Sequence, residues 1–285
     1  MCAGQSEMYF AGIDIGSTMT KIVIMDDEIN SQVIGPTGAE HRRLANKVME
    51  EALSMAGIAF DELTYVVATG YGRINVPFAD KQITEITCHA KGVSSIFPSV
   101  RTVIDIGGQD AKGIKIVGGK VVNFVMNDKC AAGTGRFLEM IADALSLKLK
   151  EMGELSLQSK EKVRISNTCT IFAEQEVVSK IADGVPIEDI LAGLHEAIAS
   201  RVFHMAEKMK IEKDVAMTGG VAKNVGMVKA LEDQLGFPVL IAREPLLTGA
   251  IGAAILGKEL VIKALEKGEA IEKGARLLEA ASFFK

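Results

Sequence analysis

The chain has 285 residues, a formal net charge of −5 and 48% hydrophobic residues. This apolar content excludes disorder as the main state, and the negative charge gives no electrostatic basis for binding nucleic acid. No apolar run reaches the length of a transmembrane helix, and the first ten residues lack the features of a secretory signal. We therefore expect a cytoplasmic protein with reduced cysteines and no membrane partner.

The first predicted element is a β-hairpin whose turn carries an acid and a glycine. Strands over 8–13 and 22–25 flank the segment Asp14-Ile-Gly-Ser-Thr-Met-Thr-Lys21. Glycine lets backbone N–H groups come close to a phosphate, and a carboxylate suits hydrated Mg²⁺. We therefore predict a nucleotide-binding turn that uses Asp14, Gly16, Ser17, Thr18 and Lys21.

The rest of the first half reads as a third strand ending at Gly35, a helix over 39–56, a strand over 65–68, a glycine loop over 69–73 and a helix over 84–96. Strands over 100–104 and 114–117 then flank Asp105-Ile-Gly-Gly-Gln-Asp-Ala-Lys112, a near-copy of the first turn. The repeat predicts an α/β protein of two related lobes, over 1–100 and 101–285, that hold one nucleotide between them.

The second copy of the turn carries additional polar groups. We expect Asp105 to share the Mg²⁺ with Asp14, and Gly107 and Gly108 to contact phosphate. Gln109 is the candidate for orienting the attacking water, as glutamines do in GTPases, and Asp110 is its rival. The first copy is thus predicted to hold phosphates and the second to support hydrolysis.

The second half continues with a primed turn at Gly118-Gly119, followed by helices over 137–149, 171–182 and 186–209. A strand over 215–218 leads through Gly219-Gly220 into a helix, and a strand over 239–242 precedes a helix that runs from Gly249 into the tail. Gly219, Gly220 and Asn224 are predicted to line the adenosine. Gly249 is either a further nucleotide contact or a site of plain helix packing. For this last helix, packing back on the first lobe is an alternative to remaining with the second.

Two of the four cysteines lie at predicted helix entries. Cys130 precedes Gly133-Thr-Gly135, and Cys169 precedes the helix over 171–182. A helix N-terminus favours a thiolate, and two thiolates are half of the ligands of an iron–sulfur cluster, which a symmetric dimer would complete. Spacing alone favours two unrelated buried cysteines, and a redox disulfide is a third possibility.

The order of two phosphate turns followed by a Gly-Gly adenosine turn resembles the superfamily of acetate and sugar kinases, heat-shock chaperones and actin, whose lobes are duplicated and ribonuclease-H-like. No G-x-x-x-x-G-K-[ST] stretch is present, so a Walker loop does not hold the nucleotide. This leaves a small-molecule kinase and an actin-like assembly module as alternative functions.

Four motifs closely resemble the activators of 2-hydroxyacyl-CoA dehydratases, a family that includes the ATPase subunits of benzoyl-CoA reductase. They are Ala68-Thr-Gly-Tyr-Gly-Arg73, Asp105 to Lys112, Asn127-Asp-Lys-Cys-Ala-Ala-Gly-Thr-Gly-Arg-Phe137 and Ser166-Asn-Thr-Cys-Thr-Ile-Phe-Ala-Glu174. The resemblance runs from about 8 to about 257. It implies a homodimer with one bridging 4Fe–4S cluster, whose ligands would be Cys130 and Cys169 of each subunit.

The resemblance also implies that hydrolysis of ATP to ADP drives one low-potential electron from ferredoxin or flavodoxin into the dehydratase. Two features depart from the family pattern. The leader over 1–7, with Cys2, is extra, and Leu246 stands where family members often carry a polar residue near the adenine. Cys88 resembles a family position that is not a cluster ligand, which favours a structural role.

Overall fold

The structure is a computed structural model that describes residues 8–166 and 169–279. The leader with Cys2 lies outside the described residues. The chain forms two compact units: the first comprises the described residues up to Pro98 together with those from Leu246 onward, and the second runs from Ser99 to Pro245. Within the described ranges, no helix combines the length and apolarity needed to cross a membrane.

The first unit is built on a five-stranded sheet of order β3-β2-β1-β4-β5. Its strands are β1 (Tyr9–Ile15), β2 (Met19–Met25), β3 (Ile29–Pro36), β4 (Leu63–Thr69) and β5 (Lys81–Gln82), and its first helices are α1 (His41–Ala56) and α2 (Glu85–Ile96). The first three strands form an antiparallel meander, β4 runs parallel to β1, and β5 runs parallel to β4. The first predicted turn joins β1 to β2.

The second unit repeats this sheet, with the order β8-β7-β6-β9-β10. Its strands are β6 (Thr102–Ile106), β7 (Ala111–Val117), β8 (Lys120–Asn127), β9 (Val215–Thr218) and β10 (Leu240–Ile241). Its helices are α3 (Gly135–Ala144), α4 (Met152–Ser156), α5 (Thr170–Ala182), α6 (Ile187–Glu207) and α7 (Val225–Leu235). Strand directions match those of the first unit. The duplication therefore extends from the two turns to both sheets.

The last helix, α8 (Thr248–Lys267), belongs to the first unit. It packs against α2, β1 and β4. The α2–α8 contact is very close, because a Cβ on Gly252 would overlap the carbonyl group of Cys88. The unit boundary thus lies near residue 98, and the C-terminal helix is part of the first unit.

Each face of the first sheet packs against helices. Successive strand residues point to opposite faces, so Ile13 packs with Met49 of α1 and Phe10 packs with Ala253 of α8. In the second unit, Ile104 of β6 lies in one cluster with α6. These cores fix the ends of β1 and β6, where the predicted acids lie.

Most predicted elements are confirmed. The helices predicted over 84–96, 171–182 and 186–209 correspond to α2, α5 and α6. Gly118 and Gly119 have φ angles of 57° and 73°, as a primed turn between β7 and β8 requires. The two-residue strand β5 was not predicted.

Two predicted helices end earlier than expected. The helix predicted over 137–149 ends at Ala144, where Ser146 adopts a φ of 55°. Ser146 N donates to Asp143 O and Leu147 N donates to Ala142 O, which are the two bonds of a Schellman motif. The helix that begins at Thr248 ends at Lys267 rather than continuing into the tail, and Gly268, which follows it, has a φ of 67°.

The described part of the tail returns over the first unit. Arg276 donates to both carboxylate oxygens of Asp80, at 2.9 and 2.7 Å, and to the backbone oxygens of Leu63 and Thr64. The Asp80 side chain is fully buried. A bidentate pair of this kind fixes both distance and orientation, so it ties the tail to β4.

Candidate functional site

The first turn places a carboxylate beside a lysine. Asp14 and Lys21 lie directly opposite each other on β1 and β2, so their side chains share one face of the sheet. Lys21 Nζ lies 3.0 Å from Asp14 Oδ2, and both side chains are buried. Gly16 N donates to Met19 O at 3.1 Å and closes the turn that contains Ser17 and Thr18.

The second turn repeats this geometry. Asp105 faces Lys112 across β6 and β7, and Gly107 N donates to Asp110 O at 2.9 Å. Lys112 Nζ lies 3.6 Å from Asp105 and 2.7 Å from Asp110. The second lysine therefore lies between two carboxylates, whereas Met19 occupies the position equivalent to Asp110 in the first turn.

In each unit, a glycine follows the strand that runs parallel to the acid-bearing strand. Gly70 after β4 and Gly219 after β9 have φ angles of 84° and 83°. A Cβ on Gly70 would overlap the Asp14 carboxylate, and one on Gly219 would lie 3.1 Å from Asp105 Oδ1. Each glycine thus lets the backbone approach a buried carboxylate closely.

The remaining predicted nucleotide residues divide between the two units. Gly249, in the first turn of α8, faces Asp14, since its Cβ position lies 2.9 Å from Asp14 Oδ2. Gly108 and the exposed Gln109 lie in the second turn, and Gly220 begins a single 3₁₀ turn after β9. The side chain of Asn224 caps α7 by accepting from Met227 N. Gly252, in contrast, serves the packing of α8 on α2.

The second turn is bonded directly to the start of α3. Gly135 N donates to Gly107 O and Arg136 N donates to Gly108 O, each at 2.8 Å. The first N–H groups of a helix have no partner within the helix, so the turn supplies their acceptors. A displacement of Gly107 or Gly108 therefore acts on the N-terminus of α3.

The loop before α3 carries Cys130. The Asn127 side-chain amide donates to Cys130 O at 2.9 Å and to Ala132 O at 3.1 Å, and Thr134 Oγ1 donates to Ala131 O at 2.7 Å. These bonds hold the cysteine loop in a defined conformation next to the helix start.

Cys169 is the N-cap residue of α5. Cys130 and Cys169 are half-buried free thiols, and Cys88 is a buried free thiol on α2. Burial raises the pKa of Cys88 to about 12. Among the residues that the structure describes, no group of three or more His, Cys, Asp or Glu side chains could hold a metal ion.

Three residues of these sites were missed by the sequence analysis: Gly70, Lys112 and Thr218. Lys112 occupies the position in the second turn that Lys21 occupies in the first, so the repeat itself was the available signal. Thr218 Oγ1 donates to Asp105 Oδ1 at 2.8 Å from the neighbouring strand β9. Its contact arises from the pairing of β6 with β9, which no local motif indicates.

Comparison with known proteins identifies close relatives. The activator of lactoyl-CoA dehydratase from Anaerotignum propionicum is 46% identical over 264 residues, which are 90% of this chain and 100% of that protein. The (R)-2-hydroxyglutaryl-CoA dehydratase activating ATPase from Acidaminococcus fermentans is 45% identical over 251 residues, 87% of this chain and 96% of that protein.

Solved structures confirm the predicted fold class. The activator of the 2-hydroxyisocaproyl-CoA dehydratase from Clostridium difficile with bound ADPNP has a TM-score of 0.86 and 42% identity, and the match covers 93% of this chain and 99% of that one. A ROK family glucokinase from Streptomyces griseus shares the fold alone, with a TM-score of 0.54 and 15% identity over 88% of this chain and 99% of that one.

The family model gives the same answer over most of the chain. Residues 11–257 match the model of the BadF/BadG/BcrA/BcrD ATPase family. This range contains both carboxylate–lysine turns and both half-buried cysteines, and it confirms the family resemblance predicted from the motifs. The chain belongs to the BadF/BadG/BcrA/BcrD ATPase family.

Proposed function

We propose that this protein is an ATP-hydrolysing activator that passes one low-potential electron to a 2-hydroxyacyl-CoA dehydratase or a related acyl-CoA reductase. The named relatives are dehydratase activators, and one of them was solved with ADPNP. The observation that carries the proposal is the pair of hydrogen bonds between the second turn and the start of α3, beside the Cys130 loop. Through these bonds, a nucleotide-binding turn acts on a segment suited to hold a redox group.

The two turns would share the triphosphate and its Mg²⁺. Each lysine already neutralises a buried carboxylate. Asp14 and Asp105 would hold a hydrated Mg²⁺, and the neighbouring Lys21 and Lys112 would pair with phosphate oxygens. The proposed nucleotide contacts are Asp14, Gly16, Ser17, Thr18, Lys21, Asp105, Gly107, Gly108, Gly219, Gly220, Asn224 and Gly249.

The second turn would support hydrolysis. Gln109 is exposed at its tip and is our candidate for orienting the attacking water. Asp110 is the rival candidate, because its side chain is 30% exposed and already lies 2.7 Å from Lys112. Met19 offers no such group in the first turn, which favours an unequal division of roles.

The coupling would start at the carbonyl groups of the second turn. Loss of the γ-phosphate changes the contacts available to Gly107 and Gly108, and their carbonyl oxygens hold the first two N–H groups of α3. A shift of that turn is passed to α3 and then to Asn127 and the Cys130 loop. Such a switch requires that ATP and ADP bind the two arrangements with different affinities.

Cys130 and Cys169 are suited to an iron–sulfur cluster in their chemistry. Both are half-buried free thiols, with Cys169 at the N-cap of α5 and Cys130 in the loop before α3, whereas the burial and raised pKa of Cys88 argue against it as a ligand. Two thiolates per chain are half of the Cys₄ set, so a homodimer would hold one 4Fe–4S cluster. When bound, that cluster supplies one-electron transfer, with reduced ferredoxin or flavodoxin as the donor in an anaerobic cytoplasm.

The iron content of the anaerobically purified protein tests the ligand assignment. We expect a brown protein with about four irons per dimer, and a colourless Cys130→Ser variant. Cys88→Ala is the matched control and should keep its iron. An unchanged iron content in Cys130→Ser would refute the assignment. Activation of a dehydratase by the wild type, dependent on ATP and on reduced flavodoxin, tests the function as a whole.

A further inference from the structure

A chain of side-chain hydrogen bonds centred on the buried His195 reaches the turn that is proposed to bind adenosine. His195, in the middle of α6, is 1% exposed. Its Nδ1 lies 2.9 Å from Ser156 Oγ of α4, and its Nε2 lies 3.3 Å from Asn224 Nδ2 at the start of α7. One imidazole therefore joins three helices of the second unit.

The direction of each hydrogen bond follows from the groups involved. The Ser156 hydroxyl donates to Gly153 O at 2.7 Å, so its oxygen must accept from Nδ1–H of His195. The Asn224 amide nitrogen has only protons to give, so Nε2 of His195 accepts. The Asn224 amide oxygen accepts in turn from Met227 N at 3.0 Å. Only the neutral imidazole with its proton on Nδ1 satisfies every partner.

Close packing restricts the His195 imidazole and the Asn224 amide to a single arrangement. A Cβ on Gly226 would lie 2.6 Å from Nδ1 of His195, and one on Gly153 would lie 2.7 Å from Oδ1 of Asn224. Both positions are glycine, so the backbones of α4 and α7 press directly on the imidazole and the amide. Burial lowers the pKa of His195 to about 4, so it stays neutral near pH 7.

The Asn224 backbone connects this chain of bonds to the adenosine turn. Asn224 N donates to Val221 O at 3.0 Å, and Ala222 N donates to Gly219 O at 3.2 Å. The turn from Gly219 to Lys223 is therefore closed by Asn224, and the side chain of Asn224 is hydrogen-bonded to His195.

We propose that His195 is a positioning residue for the nucleoside half of the ATP site, which acts through Asn224 without touching the nucleotide. This inference rests on the proposed function, because it takes the segment from Gly219 to Asn224 as the adenosine side. The side-chain hydrogen bonds of His195 go to Ser156 and Asn224 and not to the second phosphate turn, although Gly219 lies next to Asp105 of that turn.

Two ligands separate an adenosine role from a general structural one. Mg²⁺–ATP uses both halves of the site, whereas Mg²⁺–tripolyphosphate has no nucleoside. We expect His195→Leu to weaken ATP binding by about tenfold in calorimetry of the full-length protein, with tripolyphosphate binding within about twofold of the wild type. The conservative His195→Gln should recover part of the loss. His204→Ala, at an exposed position on the same helix, is the matched control.

The outcomes distinguish the two proposals. Equal losses for both ligands, or no loss for either, would overturn the positioning role. Should His195→Leu fail to fold, Ser156→Ala carries the same test, because it removes the partner of Nδ1 at a site remote from the nucleotide. A wild-type protein that binds tripolyphosphate and ATP equally well would also overturn the inference. A wild-type protein that binds neither would instead refute the proposed function.

Discussion

Gly219 is the position where one added methyl group tests the second turn most directly. Its φ of 83° and ψ of 176° lie in a region essentially restricted to glycine. A Cβ there would overlap the carbonyl oxygen of Ile106 and lie 2.7 Å from its carbonyl carbon. It would also lie 3.1 Å from Oδ1 of Asp105. The atoms that would have to move therefore belong to the backbone of β6 and to the carboxylate of the site.

The expected cost of Gly219→Ala has two parts. The unfavourable backbone conformation costs about 1–3 kcal/mol. Overpacking against a strand backbone adds about 1–3 kcal/mol, so the free energy of unfolding should fall by about 2–6 kcal/mol. Gly236 provides the control, because its φ is 75° but no atom lies within 4 Å of a Cβ placed there. Gly236→Ala should cost only about 1–2 kcal/mol.

Urea unfolding followed by far-ultraviolet circular dichroism measures both variants, since the chain has no tryptophan. Binding of a non-hydrolysable ATP analogue, measured by calorimetry, reports on the site. We expect Gly219→Ala to lose at least about tenfold in affinity, because Asp105 must move, and Gly236→Ala to bind as the wild type does. If the two variants lost equal stability and bound the analogue equally, the close approach of Gly219 to Asp105 would be irrelevant to binding.

Two further predictions concern stability. Arg276→Met deprives the buried Asp80 carboxylate of its guanidinium and should lower the free energy of unfolding by about 3–5 kcal/mol. When Asp80→Asn is added to Arg276→Met, it removes the unpaired buried charge and should restore part of the lost free energy of unfolding, measured by urea unfolding. A further, additive fall in that free energy would contradict the pairing of Arg276 with Asp80. For His195, a folded-state pKa of about 4 means that between pH 6.5 and 4 the unfolded chain binds a proton that the folded chain does not. Stability is thus complete above pH 6.5 and falls with decreasing pH, by about 2 kcal/mol at pH 5. His195→Gln should flatten this pH dependence. If the stability of the variant varied with pH as the wild type does, His195 would not be the group responsible.

The strands and the paired turns were predictable because their signals are local. Buried strands and glycine turns recur at Asp14 and Asp105, and register then brings Lys21 and Lys112 opposite the acids. The early end of α3 was not predictable in the same way. Its left-handed residue is Ser146 rather than glycine, so the usual sequence signal for a helix end is absent.

The tail and the buried contacts show two other limits. Gly268 directly follows Lys267, and a glycine after a basic residue is a typical sequence signal for the end of a helix. The end of α8 could therefore have been predicted from the sequence. The contact of Arg276 with Asp80, however, joins segments far apart in the chain. The bonds of His195 to Ser156 and Asn224 likewise depend on how three helices pack. Contacts of this kind are set by tertiary packing, which periodicity and spacing do not encode.

The two turns show how a duplicated fold can give unequal chemistry. In the first, Lys21 has a single carboxylate partner within the turn, Asp14, and the equivalent of Asp110 is Met19. In the second, Lys112 lies between Asp105 and Asp110, and the turn carbonyls hold α3. The second turn therefore combines the polar groups suited to hydrolysis with the mechanical link toward the Cys130 loop. Because both properties reside in one turn, a change in the phosphate that it is proposed to bind would reach the cysteine loop through a single helix terminus.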